Sequence, residues 1–304
     1  MYTRQGNKKQ KLPENKQGNF RGWMCVYLGT MNYCRLFISL TIAVVLYSSC
    51  VIAGTQPEAE QGNSDDKAWH ITILYDNYVF QQGTQADWGF SCLIEHCGHT
   101  ILFDTGTRPE LLQQNAGFLH HDLADVDAIV LSHIHGDHTG GLFTVLKQAK
   151  DIPVYMPASF PGNMAIQIRV AGSRPVRVLK ERKIADQVYS TGELGDRIKE
   201  QSLIISTSRG LVVITGCSHP GIVPILRHAQ ALLKQKVYLV FGGFHLMAKS
   251  RREILNIIKA FKDMGVQRVG CTHCTGDMAI SLFRSHYGDN FVDMGTSKRL
   301  VLEP

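Results

Sequence analysis

The sequence predicts an α/β protein with an αββα architecture, in which two β-sheets pack face to face and helices cover their outer faces. Short apolar runs rich in Val, Ile and Leu, typical of buried strands, recur from residue 69 to the C-terminus. Segments of helical periodicity separate many of these runs. Because each strand and helix must bury its apolar side, these elements predict two sheets flanked by helices.

The first half of the predicted domain begins near Trp69. Residues 97–99 form the predicted turn of a hairpin, and Pro109 opens a helix because proline is favoured in the first helical turn. Residues 141–148 predict a second helix. The predicted strands of this half cover residues 70–75, 90–95, 100–103, 126–131 and 153–156.

The second half repeats this alternation of strands and helices. Residues 158–200 contain no clear periodicity, and we predict a flap or insertion over the site there. Residues 291–302 predict a closing pair of strands. The other predicted strands cover residues 203–206, 211–215, 237–241 and 266–271, and the helices cover residues 222–233, 251–264 and 276–287.

The N-terminal segment differs in charge from the rest of the chain. Residues 1–50 carry seven Lys or Arg and one Glu, which accounts for the whole net charge of +6. Residues 51–304 carry 25 basic and 25 acidic groups. No nucleic-acid partner is therefore expected for the folded part. Residues 53–67 are polar and aperiodic and predict a linker, so the predicted domain covers residues 68–304.

Residues 1–52 predict a basic tail with a targeting segment. Residues 36–47 are apolar and follow Arg35, a length typical of a signal-peptide core, whereas a membrane-spanning helix needs about 20 residues. An uncleaved membrane anchor is one alternative, and a lipoprotein cleaved before Cys50 is another. Met24 and Met31 are alternative starts to Met1. Each version predicts an exported protein, periplasmic or membrane-anchored.

Residues 131–141 (Leu-Ser-His-Ile-His-Gly-Asp-His-Thr-Gly-Gly) carry the strongest functional signal. In an extended segment alternate side chains point the same way, so His133 and His135 can converge on one metal ion. Asp137 and His138 follow where the chain turns, and they predict a second ion beside the first. Imidazole and carboxylate ligands favour zinc, with iron or manganese as alternatives. The competing interpretation is a strand end with solvated histidines.

Further polar motifs follow other predicted strands, at the edge where α/β sheets collect ligand sites. Asp104 follows residues 100–103, and we expect it to orient a ligand histidine or the loop. His219 lies in a Gly-Cys-Ser-His turn and offers a third imidazole to the first ion. His245 and His273 end the next two strands. Each histidine alone fits a structural turn, but their order supports a common site.

Export would place the cysteines of the predicted domain in an oxidising compartment. Their odd number and their spacing do not predict a disulfide scaffold. Cys271 and Cys274 form a C-x-x-C motif that fits a redox pair or half of a zinc site. We favour packing around His273, because no second C-x-x-C is present. The five cysteines are Cys92, Cys97, Cys217, Cys271 and Cys274.

The His-x-His-x-Asp-His motif at residues 133–138 and the later histidines resemble the metallo-β-lactamase superfamily of metal-dependent hydrolases. The resemblance runs from about Trp69 to the C-terminus and implies the αββα sandwich of that superfamily. It also implies one or two bound ions, zinc foremost. The implied ligands are His133, His135 and His219 for the first ion, and Asp137, His138 and His273 for the second.

Two further positions follow from this resemblance. Asp104 matches the strand-end aspartate that supports the site. Relatives of the glyoxalase II type place a bridging Asp after the strand predicted at residues 237–241, and this chain has no Asp there. The resemblance makes His245 the substitute.

A narrower resemblance concerns residues 75–77, 86–91, 216–219 and 273–276, together with the Gly-Gly-Phe-His-Leu run at residues 242–246. These motifs look like the group named for a methanogen dihydropterin-aminobenzene-ribofuranosyl-phosphate synthase, most of which is described only as metal-dependent hydrolases. The likeness implies substrate-pocket roles for Asn77, Asp87 and Trp88. Turn chemistry is the alternative explanation of these three residues.

Together these features predict a metal-dependent hydrolase that acts on a small-molecule ester, lactone, thioester or phosphoester. Bound metal lowers the pKa of water to about 7, and we expect Asp137 to hold that water or accept its proton, with Asp104 in support. The narrower resemblance implies an alternative, a transferase that joins an aminobenzene ribofuranosyl phosphate to a dihydropterin-methyl diphosphate. A non-catalytic, metal-dependent binding protein is a third hypothesis. The sequence predicts no particular oligomeric state.

Overall fold

The computed structural model describes residues 67–304, and these residues form two sheets. The seven strands of the first sheet lie in the order β13-β1-β2-β3-β4-β5-β6. They are β1 (Trp69–Tyr75), β2 (Ser91–His96), β3 (His99–Phe103), β4 (Ala128–Val130), β5 (Pro153–Pro157), β6 (Arg174–Val178) and β13 (Arg299–Leu302).

The second sheet contains six strands in the order β12-β11-β10-β9-β8-β7. Strands β10, β11 and β12 run parallel to one another, as do β3 to β6 in the first sheet. The six strands are β7 (Arg182–Ala185), β8 (Val188–Ser190), β9 (Leu203–Thr207), β10 (Gly210–Thr215), β11 (Val237–Gly243) and β12 (Arg268–Thr272).

Seven α-helices accompany the sheets within residues 67–304. Their sequence signals are clearest in α6, where Ser250 accepts the N–H of Glu253 and the Glu253 carboxylate bonds back to Ser250, a reciprocal cap. The helices are α1 (Pro109–Phe118), α2 (Gly136–Thr139), α3 (Leu142–Gln148), α4 (Gly162–Val170), α5 (Ile222–Leu233), α6 (Arg251–Asp263) and α7 (Asp277–Tyr287).

Alternation along the strands divides the buried side chains into three layers. In β10, Val212 and Ile214 join the core between the two sheets, whereas Leu211 and Val213 pack beneath the helices. Leu93 of β2 likewise faces the helices that cover the first sheet. Because strands are buried on both faces, they appear in the sequence as continuous apolar runs. The αββα sandwich is confirmed.

Residues 158–200 differ from the predicted flap. They contain α4 and three strands, of which β6 forms one edge of the first sheet and β7 one edge of the second. These edge strands are partly exposed and contain arginine and lysine, so they lack the apolar run of a central strand. The predicted closing pair is also wrong, since residues 291–302 contribute the single strand β13 and isolated bridges at Phe291 and Thr296.

The predicted targeting segment and all but the last residue of the predicted linker lie in residues 1–66, outside the part of the chain that the structure describes. Within residues 67–304, no helix is both long and apolar enough to cross a membrane.

Candidate metal centre

The ends of several strands bring the predicted site residues together. Parallel strands end at the same edge of a sheet, so the turns that follow β3 and β4 are neighbours, as are those after β10, β11 and β12. Asp104 follows β3 and His133 lies just beyond β4. Cys217 follows β10, while His245 and His273 follow β11 and β12.

The loop after β4 changes conformation at its midpoint. His135 has an extended backbone and precedes α2, which begins at Gly136. The extended half brings Nε2 of His133 to 3.1 Å from Nδ1 of His135. The helical half brings Asp137 and His138 towards further ligand residues, while the His138 ring centroid stays 4.2 Å from that of His133 and Asp137 stays grouped with His133 and His135. The loop therefore presents His133 and His135 from extended backbone and Asp137 and His138 from a helical turn, as the spacing predicts.

Asp104 holds this loop from behind. It is fully buried, and its carboxylate accepts the backbone N–H of Ser132 at 2.6 Å and the Ser132 hydroxyl at 2.6 Å. The same carboxylate lies 2.7 Å from Nδ1 of His138. Having donated its proton to Asp104, Ser132 accepts from Nδ1 of His133 at 2.9 Å. When both rings are neutral, each proton is therefore on Nδ1 and each Nε2 presents a lone pair.

Asn77 holds His273 in the same way. The N–H of Gly89 donates to Oδ1 of Asn77 at 3.0 Å, which identifies that atom as the amide oxygen. This oxygen lies 2.8 Å from Nδ1 of His273. Because the oxygen only accepts, Nδ1 of His273 is the donor and Nε2 faces the site. Beside it, the Thr272 hydroxyl is 2.8 Å from the buried Asp76 carboxylate, which joins the ends of β1 and β12.

A first cluster consists of His133, His135 and His219. The ring centroid of His219 lies 4.8 Å from those of both His133 and His135. Nε2 of His219 is buried and has no hydrogen-bond partner among the described residues. A buried, unpaired nitrogen costs free energy, so this atom indicates a missing partner such as a metal ion.

A second cluster consists of Asp137, His138, Cys217 and His273. Oδ2 of Asp137 lies 3.5 Å from Nε2 of His138 and 3.4 Å from Nε2 of His273. Sγ of Cys217 lies 3.2 Å and 3.4 Å from the same two nitrogens. Apart from Asp137, whose side chain is 16% exposed, these residues are buried. Sequence reasoning placed the other three residues here and missed Cys217.

Glu200 holds the turn that carries Cys217 and His219. Its buried carboxylate accepts three backbone N–H groups, from Cys217 at 2.9 Å, Ser218 at 2.8 Å and His219 at 2.8 Å. Ser218 has φ 65°, a left-handed conformation that these bonds help to stabilise. Burial raises the pKa of Glu200 to about 7, although the three N–H groups oppose this shift. Sequence reasoning missed Glu200, which lies in the segment without periodicity.

Glycine lets the two strand ends approach this centre. A Cβ on Gly216 would lie 2.1 Å from Oγ of Ser132 and 3.1 Å from the Asp104 carboxylate. A Cβ on Gly243 would lie 2.3 Å from the carbonyl oxygen of Gly216 and 3.0 Å from the His273 ring. Any larger residue at either position would displace side chains of the centre.

The clustered charges shift the pKa values of the site. Burial and the neighbouring His138 and His219 lower the pKa of His133 well below its ordinary value. Burial also opposes charge on His138, but Asp104 and Asp137 outweigh it and raise the pKa of His138 to about 10. The pKa of Asp137 is lowered despite its burial, by hydrogen bonds with His138 and His273. An ion binding here would therefore displace a proton from His138.

The predicted pocket residues divide into two kinds. Asn77 orients His273, and Nε1 of Trp88 donates to Oδ2 of Asp137 at 2.9 Å, so both contact the clusters. The Asp87 carboxylate instead pairs with Nε of Arg108 at 2.9 Å and accepts from Tyr75 at 3.1 Å. Asp87 therefore stabilises the turn, and Trp88, which is 45% exposed, forms part of the rim.

Comparison with known proteins identifies the family. The model of the metallo-beta-lactamase superfamily matches residues 89–221. A synthase from Methanocaldococcus jannaschii, named for 7,8-dihydropterin-6-methyl-4-(beta-D-ribofuranosyl)-aminobenzene-5'-phosphate, is 31% identical over an alignment of 243 residues, and the match covers 65% of this chain and 83% of the relative. The chain belongs to the metallo-beta-lactamase superfamily. An uncharacterized protein of the same organism is 28% identical over an alignment of 244 residues, and the match covers 69% of this chain and 92% of that protein.

Two solved structures are similar to this fold. The crystal structure of a metal-dependent hydrolase of the beta-lactamase superfamily is 27% identical, with a TM-score of 0.66, and the match covers 78% of this chain and all of that one. A diphosphatase of the PhnP family is 14% identical with a TM-score of 0.53, over 76% of this chain and 97% of that one, so it is similar in fold alone.

The superfamily implies divalent metal, and the chemistry of the clusters fits it. Three imidazoles present Nε2 lone pairs because Asp104, Ser132 and Asn77 occupy their Nδ1 atoms, an arrangement typical of metal-ligating histidines. Nε2 of His219 has no other described partner. Imidazole, carboxylate and sulfur are all groups that divalent transition-metal ions accept as ligands.

His245, which the superfamily resemblance makes the substitute for the bridging Asp, lies at the rim of the centre, and its role as a metal ligand stays a prediction. Its side chain is exposed, its φ is 53°, and its ring centroid lies 4.3 Å from that of His219. It groups with Cys217 and Cys274, and a hydrogen bond with Cys274 raises its pKa. The adjacent Phe244 occupies the inward position, packed on aromatic rings of α6 and α7, and this places His245 at the surface.

The cysteines of the described residues are free thiols. Cys271 packs in the core beneath the helices, as expected for a strand end. Cys274 lies in the turn after β12, with Sγ 3.6 Å from the carbonyl oxygen of Cys217.

Proposed function

We propose that this protein is a metal-dependent hydrolase that directs an activated water at an ester, lactone, thioester or phosphoester. The observation that carries the proposal is the convergence of two clusters of imidazoles, in which Nε2 of His133, His138 and His273 faces the site. A packing role for His138 and His273 would not require Asp104 and Asn77 to orient their rings.

A bound divalent ion would lower the pKa of a water molecule and polarise the carbonyl or phosphoryl oxygen of the substrate. Asp137 lies beside both clusters, and its lowered pKa keeps it ionised, the form that binds a cation or accepts a hydrogen bond from water. The indole N–H of Trp88 holds one Asp137 oxygen, which limits the directions in which the carboxylate can rotate. Trp88 and Asp137 would thus position the reacting water rather than react with the substrate themselves.

Removal of ligand histidines tests this proposal on the purified full chain. His133→Ala and His138→Ala should each abolish turnover and reduce bound metal together. His286→Ala is the matched control, because His286 is exposed on α7, and it should change neither quantity. Substrates should include a lactone, a thioester, a phosphodiester and a β-lactam. Full turnover after exhaustive chelation of the wild type would contradict the proposal.

The identity of 31% with a synthase favours a second candidate. The same clusters would then bind the diphosphate of a dihydropterin-methyl diphosphate, while an aminobenzene ribofuranosyl phosphate displaces it. Incubation of the purified chain with both substrates should yield the coupled product and diphosphate. Coupled product, without hydrolysis of any ester or phosphoester, would establish this candidate in place of the first.

We also propose that residues 1–52 export the protein to the periplasm or anchor it in the membrane. Fractionation of cells, with sequencing of the mature N-terminus, distinguishes a cleaved signal peptide, a lipoprotein and an uncleaved anchor. A new N-terminus near Ala53 supports a cleaved signal peptide, and a lipidated Cys50 supports a lipoprotein. An intact N-terminus in the membrane fraction supports an anchor, whereas an intact soluble cytoplasmic chain would contradict export.

A further inference from the structure

Cys217 occupies a position that the sequence pattern did not assign to the metal centre. Its Sγ belongs to three of the four groups of metal-ligating atoms found among the described residues. One of these groups contains Asp137, His138 and His273, and another contains His133 and His219.

The separations within the second cluster match the edges of a coordination tetrahedron. Zinc binds nitrogen or oxygen at about 2.0–2.2 Å and thiolate sulfur at about 2.3 Å, which places neighbouring ligand atoms about 3.3–3.6 Å apart. Four of the six edges lie between 3.2 and 3.5 Å, two from Asp137 and two from Cys217, each to Nε2 of His138 and of His273. The residues therefore surround a space of the size that one ion needs.

Hydrogen bonds alone use only some of these four contacts. Nδ1 of His138 is occupied by the buried Asp104 carboxylate and Nδ1 of His273 by the part-buried Asn77 oxygen. In the metal-free protein a proton on Nε2 of His138 can bond to Asp137 or to Sγ, and the thiol proton can bond to one nitrogen, so two of the four contacts have no proton between them. A cation in the centre contacts all four ligand atoms at once.

The protein also holds Cys217 in place from the backbone. The Glu200 carboxylate accepts its N–H at 2.9 Å, and Sγ of Cys274 lies 3.6 Å from its carbonyl oxygen. The preceding Gly216 packs against Ser132 and Asp104, so the turn cannot move outward without breaking these contacts.

We propose that Cys217 is a thiolate ligand that closes a four-coordinate site with Asp137, His138 and His273. This inference rests on the metal dependence of the proposed function. A site with four protein ligands has no open position, whereas three histidines leave one open. The first cluster, His133, His135 and His219, then carries the open position for water, and the second cluster is closed. The Cys217 thiol releases its proton to solvent when the ion binds.

X-ray absorption of the zinc-loaded full chain, kept reduced, tests this assignment. With two zinc ions per chain, we expect one sulfur per two zinc ions at about 2.3 Å. Substitution of cobalt(II) should add a thiolate-to-cobalt charge-transfer band in the near-ultraviolet. Cys217→Ser should lose the sulfur shell and the band, and should weaken binding of one ion more than about 100-fold, because loss of an outer partner alone costs about 10–100-fold.

Two variants serve as controls. Cys274→Ser removes the neighbouring thiol and Cys97→Ser an exposed one, and both should keep the band and both ions. If Cys217→Ser does not fold, the wild type and Cys274→Ser still test the proposal. A charge-transfer band in both proteins excludes Cys274 as the source of the band. Loss of the band in Cys274→Ser would overturn the proposal.

The remaining outcomes separate this inference from the proposed function. Two bound ions and turnover without a sulfur shell would overturn the role of Cys217 alone. One sulfur per zinc would also overturn it, because the thiolate would then bridge the ions and no site would be closed. A wild type that binds no metal would overturn both.

Discussion

The two clusters of the centre differ in how firmly the protein holds them. In the second cluster both imidazoles donate from Nδ1 to a side-chain oxygen, and the two rings and the thiol are themselves buried. In the first cluster His135 and His219 are half-buried, and Nε2 of His219 has no described partner. The contrast indicates a division between one rigid, enclosed binding site and one site that is open to a reactant.

Asp104→Ala should have the largest effect, because Asp104 supports both clusters. The variant leaves His138 and Ser132 buried without their acceptor, and breaking such a pair costs about 3–5 kcal/mol of unfolding free energy. We expect loss of both ions, measured by metal analysis, and a matching loss in denaturant unfolding. Asp289→Ala, on an exposed turn, is the control. Two tightly bound ions in Asp104→Ala would show that the clusters do not depend on this carboxylate.

His219→Ala should separate the two clusters. It removes a ligand of the first cluster and leaves Asp137, His138, Cys217 and His273 unchanged. We expect turnover to be abolished while one ion per chain stays bound with its wild-type affinity, as measured by competition with a chelator. Loss of both ions would mean that the clusters bind as one unit, and the comparison would fail.

Asn77→Ala should produce a smaller effect confined to the second cluster. Without the Asn77 oxygen, His273 can rotate or exchange its tautomer, and we expect about 10–100-fold weaker binding of one ion. Chelator competition measures this change, with Asn290→Ala at an exposed position as the control. Equal weakening of both ions would contradict the assignment of Asn77 to one cluster.

Glu200→Gln should change the pH dependence of stability in the metal-free protein. Burial raises the pKa of Glu200 from 4.5 to about 7, so between these values the folded state binds more protons than the unfolded state. The wild-type free energy of unfolding therefore falls as pH rises through this window, by at most about 1.4 kcal/mol per pH unit from this group.

Because the glutamine side chain of the Glu200→Gln variant cannot ionise, its unfolding free energy should rise relative to that of wild type from about pH 5 to about pH 7. Urea unfolding at several pH values in chelator measures the difference. Parallel profiles for the two proteins would contradict a raised pKa at Glu200.

The predictable part of the fold followed from burial on both faces of the strands. Strands such as β10 and β11 have continuous apolar runs, and their bounds agree closely with the predicted ones. Strands β6 and β7 were not predicted, because these edge strands are half exposed and their apolar residues are mixed with charged ones. The apolar pattern of a strand reflects how much of it is buried, and edge strands are buried too little to show a recognisable apolar run.

The site shows a similar limit. Asp104 was predictable because it directly follows an apolar strand, and the histidines because their spacing is unusual. Glu200 was not, since its role depends on three backbone N–H groups of a distant turn. Cys217 was visible beside His219, but its distance from His138 depends on how the two sheets pack, which no local pattern contains.

The origin of the ligands from both sheets has a consequence for folding. His138 and His273 are 135 positions apart, and the bond between Thr272 and Asp76 spans 196. Contacts of such large sequence separation form slowly, because the chain must first lose the entropy of closing long loops. The ion-binding geometry should therefore appear late in folding. Metal added during refolding would then act mainly by slowing unfolding. A partly synthesised chain would lack a complete centre and could not bind an ion there.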